Sequence, residues 1–170
     1  MQLAQYIRDV PDFPVEGILF KDICPLLQNA TAFRNAVDRL AEHYAEEEID
    51  QIVAIESRGF IFGAPLAYKL GTGFVPIRKP DKLPAEKVSI EYSLEYGTNT
   101  LEMHRDAIRP GDKVLLVDDL LATGGSAKAA IQLIERLGGQ VVGAAFLIEL
   151  EFLEGAKELE DYGSFSLLKL

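Results

Sequence analysis

The chain has 170 residues, of which 48% are hydrophobic and 26% charged, a balance typical of one domain with a substantial buried core. It has no apolar run near the ~20 residues of a membrane span and no secretory signal pattern, and its single cysteine, Cys24, excludes an internal disulfide, so we expect a cytoplasmic protein. The formal net charge of −10 argues against non-specific nucleic-acid binding, which needs a basic face.

The first half of the chain alternates between helical and strand patterns. The predicted elements are a helix over residues 31–47, a strand at Gln51–Ile55, a helix that continues to Leu70, and a strand at Gly73–Ile77. Thr31 is the expected N-cap of the first helix, and Gly71 ends the second. A polar turn, residues 56–59, connects the first strand to the second helix.

The second half resumes this alternation after a charged, proline-containing loop at residues 78–87. The predicted elements are antiparallel strands over 89–96 and 98–104, a strand over 113–117, a helix over 127–137, and strands over 140–148 and 164–170. Apolar strands that alternate with helices predict an α/β fold whose parallel sheet is covered on both faces. Ligands bind beyond the carboxyl ends of such strands, which points to residues 56–59 and 118–126.

The run VLLVDDLLATGGS, residues 114–126, carries the strongest chemical signal. Asp118 and Asp119 follow an apolar strand, and ionised carboxylates accept hydrogen bonds from a pair of sugar hydroxyls. The glycines that follow let the backbone approach a ligand closely, and a helix start offers free N–H groups to phosphate. Taken singly, these features also fit a solvated acid pair and an ordinary glycine turn. Together they predict a ribose 5-phosphate site.

Patterns of other nucleotide and metal sites are absent from the sequence. It contains no GxxxxGK[ST] and no GxGxxG after a strand, so neither a Walker A site nor a dinucleotide fold is expected. Two histidines and one cysteine are too few for a typical structural zinc site. The cation cluster of Arg78, Lys79 and Lys82 fits either an anion site or a solvated basic loop.

Residues 114–126 resemble the phosphoribosyl-diphosphate signature of type I phosphoribosyltransferases, and DDLLATGGS is similar to the form found in the adenine-specific branch of that family. Five further segments resemble the family and occur along the chain in the family's order: FPVEGILFKDICPLL, ESRGFIFG, IRKPDKLP, YSLEYG and FSLL. The resemblance therefore covers almost the whole chain. It implies one domain, residues 1–170, with a mostly parallel sheet flanked by helices, a base-binding hood over 1–30 and a flexible catalytic loop within 78–98. The implied reaction belongs to purine salvage: adenine and phosphoribosyl diphosphate give AMP and diphosphate.

The resemblance also implies roles for individual residues. The ribose hydroxyls and the 5′-phosphate would be held by Asp118, Asp119, Ala122, Thr123, Gly124, Gly125 and Ser126. The diphosphate would be held by Ser57, Arg58, Arg78, Lys79 and Lys82, and the family commonly carries a cis peptide bond in the 56–59 turn. Adenine would contact Leu19, Phe20, Lys21 and Leu120. Phe20 also fits a plain core position, and Lys21 stands where the family frequently has arginine.

The implied catalytic residues are Glu95 and Tyr96 of YSLEYG, together with Arg58. The purine must exchange a proton as its N9 attacks the sugar, and a carboxyl group within hydrogen-bond reach can accept or donate that proton. Chemistry alone does not separate Glu95 from Glu102, and Glu95 also fits a solvated strand position.

The remaining implications concern the cofactor and partners. Mg²⁺ is the implied cofactor because diphosphate is normally handled as a metal complex, and substrate and water would hold the ion, since no dedicated protein metal site is evident. The family also implies a homodimer without nucleic-acid or membrane partners. Two alternatives stay open: transfer to another purine base, and a non-enzymatic phosphoribosyl-diphosphate sensor, which would need a nucleic-acid-binding extension.

Overall fold

The computed structural model describes residues 1–94 and 97–170, so Glu95 and Tyr96 lie outside the described residues. Within these two ranges the strands are β1 (Arg8–Pro11), β2 (Leu19–Asp22), β3 (Gln51–Ile55), β4 (Gly73–Ile77), β5 (Lys87–Ser93), β6 (Thr98–His104), β7 (Lys113–Leu121), β8 (Gln140–Glu149) and β9 (Ser164–Lys169). The α-helices are α1 (Cys24–Gln28), α2 (Ala30–His43), α3 (Arg58–Leu70) and α4 (Gly125–Arg136), and short 3₁₀ helices occupy Leu3–Tyr6, Glu151–Leu153 and Gly155–Leu159. None of the helices described here is long and apolar enough to cross a membrane.

The centre of the molecule is a five-stranded parallel sheet with the order β4-β3-β7-β8-β9. Alternate residues of β3 enter two separate cores. Ile52 and Ala54 pack with α1, α2 and α3, whereas Val53 and Ile55 pack with α4 and the β5–β6 hairpin. Strands buried on both faces need apolar side chains at every position. The predicted α/β fold and its covered parallel sheet are confirmed.

The pairing of β3 with β7 positions the candidate site. Ala54 lies opposite Val117, so the residues that follow β3 lie beside Asp118 and Asp119 of β7 at the carboxyl edge of the sheet. The turn that begins at Glu56 and the acidic pair that begins at Asp118 therefore lie next to each other. This is the edge at which parallel sheets bind ligands.

Two antiparallel hairpins flank the sheet. The N-terminal hairpin pairs β1 with β2, from Arg8 opposite Asp22 to Pro11 opposite Leu19. The predicted second hairpin is confirmed as β5 and β6, although β5 is Lys87–Ser93 rather than residues 89–96. Its strands are tied beyond Ser93 by the Leu94 amide, which donates to the Gly97 carbonyl at 2.9 Å.

Two predictions about α2 are wrong. The helix begins at Ala30, and its N-cap is Asn29, whose side-chain oxygen accepts a hydrogen bond from the Ala32 amide at 2.9 Å. Thr31 therefore lies inside the first turn. The helix also ends at His43 rather than residue 47, because the acidic run at residues 46–48 would meet the negative end of the helix dipole.

The boundaries around the DDLLATGGS run also differ from the prediction. β7 continues to Leu121 instead of ending at Val117, because β8 is long enough to pair with it as far as Leu121 opposite Glu149. Asp118 and Asp119 thus belong to a hydrogen-bonded strand. Helix α4 begins at Gly125, two residues before its predicted start, and the connecting turn is only residues 122–124. The acids and the turn are consequently held between two regular elements.

The capping assignment is testable. We expect Asn29→Ala to lower the free energy of unfolding by about 1 kcal/mol, because the Ala32 amide loses its acceptor. Thr31→Ala is the matched control and should change stability by no more than about 0.5 kcal/mol, as an exposed substitution away from a cap. Urea unfolding followed by circular dichroism measures both. A larger loss for the Thr31 variant would contradict the assignment.

Candidate active site

Two adjoining cavities open at the carboxyl edge of β3 and β7. The smaller, about 210 Å³, is lined by Arg58 and by residues 118–127. The larger, about 400 Å³, is lined by residues that include Glu56, Ser57, Arg58, Lys79, Tyr92 and Asn99. Arg58, Asp118, Asp119 and Ser126 line both. The structure thus brings the expected ribose and phosphate residues together with Ser57, Arg58 and Lys79 of the expected diphosphate residues, whereas Arg78 lines neither cavity.

In the acidic pair, Asp119 is buried and Asp118 half-buried, and their charges are only partly neutralised. The Arg58 Nε lies 2.7 Å from Asp119 Oδ2, and the Asp119 side chain is only 7% exposed. Asp118 Oδ1 accepts a hydrogen bond from the Asp119 amide at 2.9 Å. Burial raises the pKa of Asp118 well above its ordinary value, and the neighbouring Asp119 charge adds to the rise. Burial also raises the pKa of Asp119, while Arg58 opposes that rise. Two such carboxylates gain from hydroxyl donors that a sugar supplies.

A glycine at the start of α3 makes the close approach of the two loops possible. A Cβ at Gly59 would lie 2.9 Å from Asp118 Oδ1 and 3.0 Å from the Val117 carbonyl oxygen. Contacts this short are tighter than nearly all real Cβ contacts, so a side chain here would require the Asp118 carboxylate or the Val117 backbone to shift relative to α3. Gly59 therefore keeps Arg58 within reach of Asp119. This role was missed in the sequence, where Gly59 is one of four residues in a polar turn.

The turn at residues 122–126 has the backbone geometry of an anion site. Gly124 has φ +87°, a left-handed conformation that favours glycine, and it forms the N-cap of α4. The Lys128 amide donates to the Gly124 carbonyl at 2.9 Å and begins the helical hydrogen bonding. Residues 125–127 of the first turn line the small cavity, and the N–H groups of a helix's first turn have no partner within the helix and lie at the positive end of its dipole. They provide neutral donors for a phosphate in a strongly acidic protein.

Tyr92 connects the β5–β6 hairpin to this turn. Its hydroxyl lies 3.0 Å from Ser126 Oγ, and its ring lines the larger cavity. Glu95 and Tyr96 follow Tyr92 in the YSLEYG motif but lie outside the described residues, so their roles stay predictions. Tyr92 itself was not singled out in the sequence, where nothing signals a contact with a residue 34 positions away.

Glu56 organises the expected diphosphate residues. Its Oε2 accepts hydrogen bonds from Arg78 Nε at 3.1 Å and from the Lys79 amide at 2.7 Å. Burial alone would raise the pKa of Glu56, but these hydrogen bonds and the two positive charges lower it overall. The Glu56–Ser57 peptide bond is cis, as the resemblance implies. Lys79 lines the larger cavity, whereas Lys82 is exposed and lines neither of the two, so its role stays a prediction.

Glu102 has a structural position. It is 6% exposed, and its carboxylate accepts hydrogen bonds from the Asp81 amide at 3.2 Å and the Ser89 hydroxyl at 3.3 Å. Lys87 Nζ lies 3.4 Å away, and the Glu102 backbone bridges that of Arg78. Glu102 lines neither of the two cavities. It ties the loop at residues 78–87 to the hairpin, which leaves it no access to a substrate.

The N-terminal hairpin supplies an apolar surface beside the acidic pair. The Arg58 guanidinium carbon lies 5.6 Å from the centre of the Phe20 ring, and Phe13 meets that ring edge-on at 5.1 Å. Neighbouring strand residues point to opposite faces, so Leu19 and Lys21 face away from Phe20. Lys21 Nζ is hydrogen-bonded to Asp9 at 2.7 Å on that opposite face. Among the expected base contacts, the Phe20 side chain reaches the site, and Leu120 lines the smaller cavity.

A model of the phosphoribosyl transferase domain matches residues 26–168, which is most of the chain. The described fold and the acidic pair with its glycine turn agree with that match, and the chain belongs to the phosphoribosyl transferase family. The matched range includes every element from α2 to β8 and β9 as far as Leu168, whereas the N-terminal hairpin precedes it.

The relatives narrow the resemblance to one group of enzymes. An adenine phosphoribosyltransferase from Halothermothrix orenii is 59% identical over 169 residues, which cover 99% of each chain. The crystal structure of adenine phosphoribosyltransferase from Thermoanaerobacter pseudethanolicus has a TM-score of 0.97 and 54% identity, and covers 99% of this chain and 98% of that chain. The Saccharomyces cerevisiae enzyme, complexed with an imino-altritol bisphosphate and adenine, has a TM-score of 0.92 and 44% identity over 98% and 97% of the two chains.

The raised pKa of Asp118 predicts a gain in stability when its charge is removed. The folded protein holds this proton more tightly than the unfolded chain, so its stability falls as pH rises from about 4 through the folded-state pKa. Asp118→Asn keeps an oxygen that can accept the hydrogen bond from the Asp119 amide. Because its side chain does not titrate, the variant does not lose stability as Asp118 ionises. We expect the unliganded variant to gain on the order of 1 kcal/mol at neutral pH, roughly 2–4 °C in Tm.

Thermal unfolding between about pH 4 and neutral pH measures this difference. Asp161→Asn is the control, because it removes the same charge from an exposed position and should leave the pH dependence of Tm unchanged. An Asp118→Asn variant whose Tm falls with pH as steeply as the wild type would show that another group causes the slope.

Proposed function

We propose that this chain transfers the phosphoribosyl group of phosphoribosyl diphosphate to adenine, which gives AMP and diphosphate in purine salvage. The observation that carries this proposal is the placement of the acidic pair beside a glycine turn at the N-terminus of α4, within one cavity. This is a binding surface for a ribose 5-phosphate. The similarity to adenine phosphoribosyltransferases over nearly the full chain supports adenine as the base, and neither a sensor nor another base is favoured.

The sugar half of the substrate is bound by complementary charges. Asp118 and Asp119 accept hydrogen bonds from the ribose hydroxyls, and the turn formed by Ala122, Thr123, Gly124, Gly125 and Ser126 donates to the 5′-phosphate. Both groups are fixed before the substrate arrives, because β7 and α4 hold them from either side. As the diphosphate leaves, positive charge develops at C1′, and the nearby carboxylates stabilise it.

The leaving group faces the larger cavity and its cations. Ser57, Arg58 and Lys79 line this cavity and would stabilise the negative charge that grows on the departing diphosphate. Arg78 is held by Glu56, so in this arrangement it supports the loop that carries Lys79. The pairs that Arg58 and Arg78 make with carboxylates leave Lys79 as the cation most directly available to an anion in this cavity.

The base is proposed to lie against Phe20 and Leu120. A cavity of about 270 Å³ beside Val10, Phe13 and Phe20 offers an apolar face to a planar ring. Because the Lys21 side chain is paired with Asp9 on the other face of the hairpin, Lys21 would contact adenine through its backbone. The lysine that stands where the family frequently has arginine is then compatible with adenine binding.

The proposed cofactor is Mg²⁺, which when bound neutralises part of the diphosphate charge. In the described residues, no group of three or more His, Cys, Asp or Glu side chains is placed to hold a metal ion. Mg²⁺ usually keeps several waters and binds through one or two carboxylates together with substrate phosphates. Asp118 and Asp119 fit that requirement, and they would hold the ion in combination with the substrate.

We also infer a cytoplasmic homodimer. The family resemblance supports the dimer. Sedimentation equilibrium tests the dimer, and a single species at the monomer mass would contradict it.

Steady-state assays with adenine, hypoxanthine, guanine, xanthine and orotate test the proposed function. We expect turnover with adenine and phosphoribosyl diphosphate, and kcat/KM values for the other bases lower by about 10⁴ or more, because a site that hydrogen-bonds one base leaves polar groups unpaired with another. Robust turnover of another base without adenine turnover would overturn the choice of base. Absence of turnover with every base would overturn the reaction class.

Glu95 is proposed as the group that exchanges a proton with the purine. We expect Glu95→Gln to lower kcat by about 10²-fold or more, the usual scale of general acid–base catalysis, and to leave ribose 5-phosphate binding unchanged. Glu102→Gln is the comparison. It loses its charged partner Lys87 and should lower Tm, while kcat changes by less than about threefold. The opposite pattern of kcat values would assign the proton exchange to Glu102.

A further inference from the structure

A buried contact between two glycines lies directly beneath the turn at residues 122–126, which is called the phosphate turn below. Gly155 begins the last 3₁₀ helix, and a Cβ at this position would overlap the Ala122 carbonyl oxygen and lie 3.0 Å from both the Ala122 carbonyl carbon and the Gly124 amide nitrogen. The contact is reciprocal, because a Cβ at Gly124 would lie 2.7 Å from the Gly155 carbonyl oxygen. The two backbones therefore touch without any intervening side chain.

The residues around Gly155 are firmly attached and have little freedom to withdraw. The Leu150 amide donates to the Leu121 carbonyl at 2.9 Å, which fixes the chain just before this contact to the end of β7. Leu159 is fully buried in the core beneath α4. Between them, Glu158 forms an ion pair with Lys128 of α4 at 2.5 Å. Residues 151–159, the supporting segment, are thus tied to both elements that carry the phosphate turn.

The shape of the turn depends on this support. Its donors are backbone amides, and their directions follow from the dihedral angles of Thr123 and Gly124. An atom inserted between Gly155 and Ala122 meets backbone on both sides, so it cannot be accommodated by a side-chain rotation. Either the turn or the supporting segment must shift. A shift of these donors weakens their hydrogen bonds to a bound phosphate, and each loss of about 1.4 kcal/mol in binding raises the Kd about tenfold.

We propose that Gly155 is a positioning residue for the phosphate turn: the absence of its side chain lets the supporting segment hold the Ala122–Gly124 backbone in the form that binds the 5′-phosphate. This inference rests on the proposed function for the identity of the ligand. Gly155 is not signalled by the sequence pattern, because it lies outside the DDLLATGGS run and follows a separate strand.

The test is Gly155→Ala, compared with Gly139→Ala. A Cβ at Gly139 would also be too close to its neighbours, at 2.7 Å from Ile134 Cγ2, but this site lies at the far end of α4. We expect the KM for phosphoribosyl diphosphate and the Kd for ribose 5-phosphate to rise about tenfold or more in Gly155→Ala, with kcat reduced by less than about threefold. Gly139→Ala should lower Tm and leave both binding constants within about twofold of the wild type.

A second variant keeps the inference testable if Gly155→Ala does not fold. Glu158 is exposed, and Glu158→Ala removes its ion pair with Lys128, which ties the supporting segment to α4. The loosened segment should raise the Kd for ribose 5-phosphate by about two- to threefold. Calorimetry with ribose 5-phosphate gives this readout without turnover, so it remains informative even if adenine is not the substrate. Unchanged Kd values in every folded variant, or an equal rise in Gly139→Ala, would overturn the proposal.

Discussion

The parallel pairing of β3 with β7 is the constraint on which the site depends. These strands lie in the interior of the sheet, where apolar side chains at successive positions fill two cores at once. The end of β3 and the adjoining part of β7 bring a cationic helix start and an acidic pair to the same place, with Arg58 and Asp119 only 2.7 Å apart. Burying such charges is costly unless they are paired. The extensive hydrophobic packing of the sheet stabilises a site that is locally unfavourable.

Glycine has a second structural use here besides positive φ. Gly59 permits α3 to approach β7, and Gly155 permits the supporting segment to approach the phosphate turn. In both places a backbone lies against another backbone, and the distance between them sets the geometry of a binding group. The acidic net charge of the chain is compatible with an anionic substrate because the phosphate turn relies on oriented amides instead of side-chain cations.

The parts of this structure that could be predicted from sequence are those specified by neighbouring residues. Continuous apolar runs predicted β3, β4 and the sheet they belong to, and the DDLLATGGS run predicted an acid pair before a phosphate turn. Asn29 and Thr31 are both good capping residues and lie two positions apart, so the local sequence did not distinguish them and the predicted N-cap, Thr31, was wrong. Gly155 and the Tyr92–Ser126 contact depend on residues more than thirty positions apart, so no local pattern signals them. Glu102 resembles Glu95 in chemistry, and only its three partners in the fold reveal a structural position.

Arg58 contacts both proposed binding compartments, the Phe20 face for the base and the acidic pair for the sugar. Its guanidinium lies over the Phe20 ring, and its Nε is paired with Asp119. A ligand that displaces this group from the carboxylate also removes a cation from the aromatic face. The free energies of occupying the two compartments are therefore not independent. By thermodynamic linkage, if a bound sugar phosphate changes the affinity for a base by some factor, a bound base changes the affinity for the sugar phosphate by the same factor. In the proposed reaction, Arg58 is therefore the side chain through which the binding of the two substrates would be coupled.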